Sequence, residues 1–499
     1  MRRPLAFLAA ALICAAMPAL ADDTLDVVAQ FEIKSPEPST SGYIFTRMGV
    51  AETLTNADPK GALIPGLAAN WSVSDDGLAW TFVLQEDVRF HDGTPMTPDA
   101  VVNALNFARS KPGPLSKTPI SAIEAGDGTV VLTLSEPFAA LPAYLAHYTT
   151  QILAPAAYDA DGAGVQVIGT GPYRVTDLAP PLSLKAEVFP EYWGAAPNVP
   201  NVSYSGVSRA ETRALMAESG EADFVFGLDP ASVARLGMLD GVSVHSVAIP
   251  RTLLLKVNAG HPALSEPKAR QALSLAIDRE GIARAVLRYP EGASQLFPPS
   301  VGDWHDASLP PLAYDPKAAK ALLADLGWVP GADGILSRDG QPFAITLTTY
   351  PDRPELPLVA AVLEQQFRAI GVDLTIDTTN SSEITSRHAD GSLDLGLIAR
   401  NFGLIPNPIG TVLSDYAPSG DWGAMGWDNA EMVDLAHNVA RGDGGYAERS
   451  RMVAILQAEL PVIPIAWYMQ TLAVNAAVEG TVIDPWERSF GLQNLRLAE

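Results

Sequence analysis

The sequence predicts an α/β protein in two lobes with a ligand cleft between them, and three observations carry that reading. Strand-like and helix-like segments alternate along the whole chain, the pattern of sheets covered by helices. One stretch, roughly residues 258–462, holds a helix–strand–helix–strand series complete in itself. About 37 residues follow it and must return to the first lobe, which makes that lobe discontinuous. A chain of 499 residues has length enough for two or three domains.

The first 21 residues read as an address. Met1-Arg2-Arg3-Pro4 is positive, residues 5–16 are apolar and small, and Ala19-Leu20-Ala21 supplies a peptidase cleavage pattern ahead of Asp22. That is a secretory signal peptide, too short for a membrane helix. Cys14 follows the bulky Leu12-Ile13, which argues against lipidation. A twin-arginine route through Arg2-Arg3 competes with general secretion. Cleavage after Ala21 leaves 478 residues without cysteine, as suits an oxidising bacterial periplasm.

In the body, residues 80–84 and 130–134 read as strands, as do 222–228, 252–257, 345–349, 372–377 and 393–399. Thr97-Pro98-Asp99 opens a helix to about Arg109, with a hydroxyl cap and proline at its first position. Ser208 and Glu211 form a capping box for a helix over 209–219. Residues 267–287 read as one helix, with Leu273, Ile277 and Val286 along a face and Ser265 as its cap. Asp315-Pro316 starts a helix that Gly327 stops, 355–370 one that Gly371 stops, and a short helix begins at Ser382. Hinge segments are expected at Ala248-Ile249-Pro250 and at 461–464.

Composition narrows the function. There are 57 acidic against 33 basic residues, a net charge of −24 that becomes −26 when Arg2 and Arg3 leave with the leader. Such a surface repels phosphate backbones, so nucleic acid is excluded as a partner. Hydrophobic residues make up 47% of the chain, too many for general disorder. No two of the seven histidines lie close enough in sequence for a local zinc pair. Gly169-Thr170-Gly171 runs into Pro172 and reads as a turn rather than a dinucleotide loop. Ser265-Glu266-Pro267-Lys268 matches Ser-x-x-Lys, but its partner motifs are missing. His91-Asp92 is the one candidate catalytic pair, and Asp92-Gly93 is turn chemistry first. The chain reads as a non-enzyme with no cofactor and no metal site; a secreted hydrolase using His91 and Asp92 is the alternative.

Those turn residues belong to a longer ordered series. Ile64-Pro65-Gly66-Leu67-Ala68, Asn70-Trp71 and Ser74-Asp75-Asp76-Gly77 lead to Trp80-Thr81-Phe82 and Val88-Arg89-Phe90-His91-Asp92-Gly93-Thr94-Pro95. Ile168-Gly169-Thr170-Gly171-Pro172-Tyr173-Arg174, Tyr192-Trp193-Gly194 and Ala276-Ile277-Asp278-Arg279 follow, then Phe297-Pro298-Pro299-Ser300 and the run from Tyr314 to Leu323. In this order they resemble the extracellular solute-binding proteins of family 5, the dipeptide, oligopeptide and nickel-binding group. The resemblance implies the two-lobed periplasmic binding protein fold with an extra N-terminal subdomain. The first lobe would be 22–250 plus 465–499, with the subdomain at 55–165, and the second 251–464. The implied role is capture of a small solute and delivery to an inner-membrane permease and its ATPase. A monomer is expected; a sensor or chaperone on the same fold is a further alternative.

The resemblance also implies site residues. The segment 398–407 faces the ligand, so Arg400, Asn401, Phe402 and Asn407 are candidates. Arg400 matches an arginine that oligopeptide-binding relatives set against a ligand carboxylate, where a planar guanidinium makes two charge-assisted bonds. The plain alternative is a strand-end arginine paired with a neighbouring acid. Phe402 stands where relatives place a cleft aromatic, with core packing as its alternative. Trp467 and Tyr468 lie where the chain recrosses, Trp422 and Trp427 in a glycine-rich loop, and Tyr43 and Arg47 near the mature N-terminus. Peptide-binding relatives anchor the ligand amine on an aspartate just after the aromatic; here no acid follows until Asp415. Nickel-binding relatives carry a histidine after Asp-Pro, where this chain has Asn407-Pro408-Ile409, and an arginine near 148–154, where it has none. A carboxylate-bearing solute, peptide-like, opine or metal chelate, fits what remains.

Overall fold

The computed structural model describes residues 24–417 and 422–498; the expected signal peptide lies outside the described residues. Its backbone is a ten-stranded mixed sheet that runs through both lobes. In order across the sheet the strands are Asp373–Thr378, Ala344–Thr349, Leu395–Asn401, Val242–Val257, Val462–Asn475, Phe224–Phe226, Thr24–Ala29, Asn201–Gly206, Ser183–Val188 and Tyr173–Ala179. Two long antiparallel strands hold it together. Val242–Val257 enters the second lobe and pairs there with Leu395–Asn401. Val462–Asn475 returns beside it and pairs in the first lobe with Phe224–Phe226.

The register of those two strands slips between Ala248 and Thr252. Ala248 lies opposite Met469 and Thr252 opposite Trp467, so three residues, Ile249 to Arg251, face the single Tyr468. Pro250 has no N–H to give the ladder. Its carbonyl instead accepts the Phe402 N–H at 2.7 Å, which ties the crossing to the loop after strand Leu395–Asn401. Extra residues on one strand bend it and raise its twist.

The second lobe is built around helix Glu355–Ala369, which joins the parallel strands Ala344–Thr349 and Asp373–Thr378. Leu356, Val359, Ala360, Leu363 and Phe367 recur at helical spacing and are buried. Gly371, with φ +90°, ends the helix. A separate four-stranded sheet, in the order Ala68–Val73, Ala79–Leu84, Thr129–Leu134, Ile120–Ala125, carries helix Pro98–Ser110. Thr97 caps that helix by accepting the Ala100 N–H at 3.2 Å. The apolar core of this subdomain is continuous with that of the second lobe.

Four expectations are corrected. Residues 267–287 are not one helix: Pro267–Leu275 ends, and a second turn starts at Asp278, whose carboxylate accepts the Gly281 N–H at 2.8 Å. The break is held by Arg279, which donates to the carbonyls of Ser274 and Pro464. The capping box at Ser208 does not form, because Arg209 is the cap and makes no side-chain bond. The Val207 and Ser208 carbonyls go instead to the buried Arg213. Ser265 likewise caps nothing, and its carbonyl and that of Leu264 accept from buried Arg270. The strand at 222–228 shrinks to three residues, since Gly227 turns away at φ +69°.

Candidate ligand cleft

A cavity of about 990 Å³ opens between the subdomain, residues 112–149, and the second lobe, residues 400–441. That is large enough for a small-molecule ligand. Its rim is joined by a backbone bond from Ala139 N to Ala440 O at 2.8 Å and by Arg441 and Glu136 at 3.5 Å. Of the sequence candidates, Arg400, Asn401 and Trp422 border it. His147, Tyr148, Lys117, His437 and Arg441 border it as well, and sequence reasoning named none of them.

Arg400 stands near the end of strand Leu395–Asn401 and donates to Asp415 through Nε at 2.7 Å and Nη2 at 2.5 Å. Asp415 is buried on helix Ile409–Tyr416. Asn407 positions that helix by accepting the Ile409 N–H at 3.1 Å. Asn407 therefore shapes the site from behind and does not border the cavity. The side chain of Asn401 spans two roles, accepting the Gly403 N–H at 2.6 Å and donating to Glu487 at 2.7 Å.

Phe402 is fully buried and packs on Phe297, ring centroids 4.8 Å apart, so it is core and not a cleft aromatic. Trp467 is also buried; its indole N–H goes to the Gln295 carbonyl at 3.1 Å and its ring meets His305. Trp427 is tied to Glu459 at 2.6 Å. Tyr468 lies at the strand crossing between two guanidiniums, with Arg251 and Arg353 at 5.3 and 5.2 Å from its ring centre. Its hydroxyl accepts from Arg353 at 3.1 Å.

Arg47, Tyr43 and Tyr468 belong to a second group, centred on Glu487. That carboxylate lies 2.6 Å from Arg251 and 3.8 Å from Arg47, and the Glu487 carbonyl accepts from Arg47 Nε at 2.6 Å. Burial raises the Glu487 pKa, but Arg251, Arg47 and Arg353 together bring it below the ordinary value, so it stays ionised. Burial pushes the Tyr43 hydroxyl up to about 12 against the pull of Arg47. The group joins the first lobe, through Arg47 and Glu487, to the crossing, through Arg251, and to the cleft loop, through Asn401. A sequence signal existed in Asp484-Pro485-Trp486-Glu487, a turn that Asp484 pins by accepting the N–H groups of Trp486, Arg488 and Ser489.

His91 is not placed for catalysis. Its Nε2 is bonded to the Gly171 carbonyl at 2.9 Å, and the Asp92 carboxylate is taken by Thr94. Burial lowers the His91 pKa to about 4. Gly169 and Gly171 pack against the backbone: a Cβ on either would stand 2.2 Å from the carbonyl of Val50 or Gly49. Among the described residues, no three His, Cys, Asp or Glu side chains group closely enough to hold a metal ion.

The comparisons agree with this architecture. Residues 62–422 match the model of the bacterial extracellular solute-binding proteins, family 5 Middle. The chain is 27% identical over 403 residues to the nickel-binding periplasmic protein of Escherichia coli K12, covering 77% of this chain and 76% of that one. It is 30% identical over 328 residues to the glutathione-binding protein GsiB of Salmonella typhimurium LT2, covering 64% of this chain and 61% of the relative. NikA from Brucella suis, solved with Fe(III)-EDTA, superimposes with a TM-score of 0.86 at 23% identity, over 95% of this chain and 99% of the other. With the matched model spanning most of the chain and the two-lobed fold in place, the protein belongs to the bacterial extracellular solute-binding proteins of family 5.

Proposed function

We propose that the protein is exported to the periplasm, cut after Ala21, and there captures a small carboxylate-bearing solute that it delivers as a monomer to an inner-membrane permease and ATPase. Lobes 22–250 plus 465–499 and 251–464, with the subdomain 55–165 inserted in the first, close on the solute about the crossing at Pro250 and Tyr468. The charge of the cavity wall carries this reading. Lys117, Arg400 and Arg441 face a single acid, Glu136, in a chain where acids outnumber bases 57 to 33. Even with Asp415 counted behind Arg400, cations prevail there and nowhere in the chain's average. The relatives' names agree in kind, since glutathione and an EDTA chelate both carry carboxylates.

No chemistry on the solute is proposed, because His91 and Asp92 are bonded into a turn away from the cavity. Native mass spectrometry of the protein from a periplasmic extract tests the reading. The expected result is an adduct with the mass of a carboxylate-bearing compound that disappears in Arg400→Ala. That variant removes the guanidinium that stands between the Asp415 carboxylate and the solute. An adduct lacking an acid group, or one retained by Arg400→Ala, overturns the assignment.

A further inference from the structure

The subdomain wall of the cavity contains a histidine with an unusual hydrogen-bond arrangement. His147 is 4% exposed and borders the cavity. Its Nδ1 accepts the Thr149 backbone N–H at 3.3 Å and lies 2.9 Å from Thr149 Oγ1. A donor aimed at Nδ1 requires a lone pair there, so the proton of the neutral ring sits on Nε2. Both hydrogen bonds of the ring among the described residues run through Nδ1, which leaves Nε2 for the cavity that His147 borders. Burial first and the positive charge of Arg488 second push the imidazole pKa down to about 3, so the ring stays neutral.

Arg488 comes from the far end of the chain, out of the turn that Asp484 pins. One nitrogen, Nη2, donates to Asn56 Oδ1, while Nε and Nη1 are shut away from solvent with no hydrogen-bond partner. Among the described residues no carboxylate forms an ion pair with it. Asp484 eases its charge from a distance, yet a buried guanidinium with no ion-paired carboxylate among the described residues favours an anion brought near. The segment 148–154 contributes no arginine of its own, and the fold brings this one near enough to act on the His147 ring from behind the cavity wall.

We propose that His147 Nε2–H, backed by the Arg488 guanidinium, donates a hydrogen bond to a carboxylate oxygen of the bound solute. The inference rests on the proposed function, since it names a contact for that anionic solute. It also says what His147 is not. A metal-ligating imidazole gives its other N–H to an acceptor, whereas Nδ1 here meets an N–H. A metal chelate would therefore be held at this point by its chelator's oxygens. The contact needs no proton from solution, because the donor is the neutral ring.

Nitrogen-15 NMR of the full-length mature protein, labelled at histidine, tests this with acetate as the minimal carboxylate and nickel(II) as the metal probe. The expected spectrum shows the Nε2–H tautomer of His147 from pH 5 to 8 and a saturable acetate shift at Nε2. Arg488→Gln should weaken that response by about fivefold or more, within the usual range of coupling between neighbouring sites. Arg488→Lys, which keeps the charge, should retain it, and this guards against a general folding defect. An Nδ1–H tautomer, a spectrum indifferent to acetate, an unchanged response in Arg488→Gln, or nickel(II) broadening centred on His147 each overturns the proposal. A protein that still closes on its co-purified solute while the His147 signals stay fixed keeps the transport role and loses only this contact.

Discussion

Glu487 holds its three partners from an unfavourable backbone, φ +56° in a residue with a side chain. That conformation costs roughly 1–2 kcal/mol, and the ion pair with Arg251 offsets it. Glu487→Ala should lower stability by about 3–5 kcal/mol, because Arg251 stays buried without its acid. Glu487→Gly should be milder by about 1 kcal/mol, since glycine relaxes the left-handed turn. Urea denaturation of the two variants decides; equal losses would show that the backbone carries no strain. Glu52 offers a pH test. Its carboxylate accepts from Thr170 at 2.8 Å, Trp193 at 3.0 Å and Tyr192 at 3.1 Å, yet burial raises its pKa from 4.5 to about 7. The folded state then holds this proton more tightly than the unfolded chain. Stability should be full below pH 4.5, fall as pH rises to about 7, and stay level above. Partial exposure of the residue tempers the loss to about 1–2 kcal/mol. Thermal unfolding of Glu52→Gln across pH 4–8 should lack that slope. At this scale the sequence was a partial guide. Arg400 was legible both as a cleft residue and as a partner of a neighbouring acid; the structure pairs it with Asp415 and sets it at the border of the cavity. Arg251, Glu487 and Arg488 were not, because their roles come from contacts across hundreds of residues.

Among the elements, those with local punctuation were readable. Thr97, Gly327 and Gly371 mark ends by a side-chain bond or a positive φ that adjacent residues already encode. The break after Leu275 was not readable, because the apolar spacing continues through it and the cause is Arg279 reaching Pro464. The caps at Ser208 and Ser265 failed for a more local reason: a buried arginine one turn into each helix, Arg213 or Arg270, reaches back to the carbonyls just ahead of it. The strand crossing is where the proposed closure of the lobes would pivot, and Trp486 wedges against it. This ring fits only because Gly61 and Gly403 lack side chains. A Cβ on Gly403 would stand 2.4 Å from Pro250 Cγ and 2.8 Å from the Trp486 ring. Gly403→Ala should therefore push the cleft loop away from the crossing, at a cost of about 1–3 kcal/mol for overpacking. Small-angle scattering of the unliganded variant should show a larger radius of gyration than the parent. An unchanged radius would mean that the wedge does not govern how the lobes sit.

For the whole molecule, the sequence's most visible property, its acidity, acts against its proposed task. A carboxylate-bearing solute approaches a body with a net charge of −26 after leader removal, while the cavity wall carries more cations than acids. Far from the cleft the field is repulsive; within it, Arg400, Arg441 and Lys117 attract. Salt separates the two by range. The Debye length is about 30 Å at 0.01 M and about 8 Å at 0.15 M, so added salt removes the distant repulsion first. Contacts inside the closed cleft, shielded from solvent ions, are screened far less. Association of an anionic solute should therefore quicken a few-fold between those salt concentrations, the reverse of ordinary steering toward a basic site. Stopped-flow fluorescence can follow it, because Trp422 borders the cavity. Dissociation should change little over the same range. A slower association at higher salt would mean that the cationic wall already dominates at long range, and that the body's charge is turned away from the path of entry.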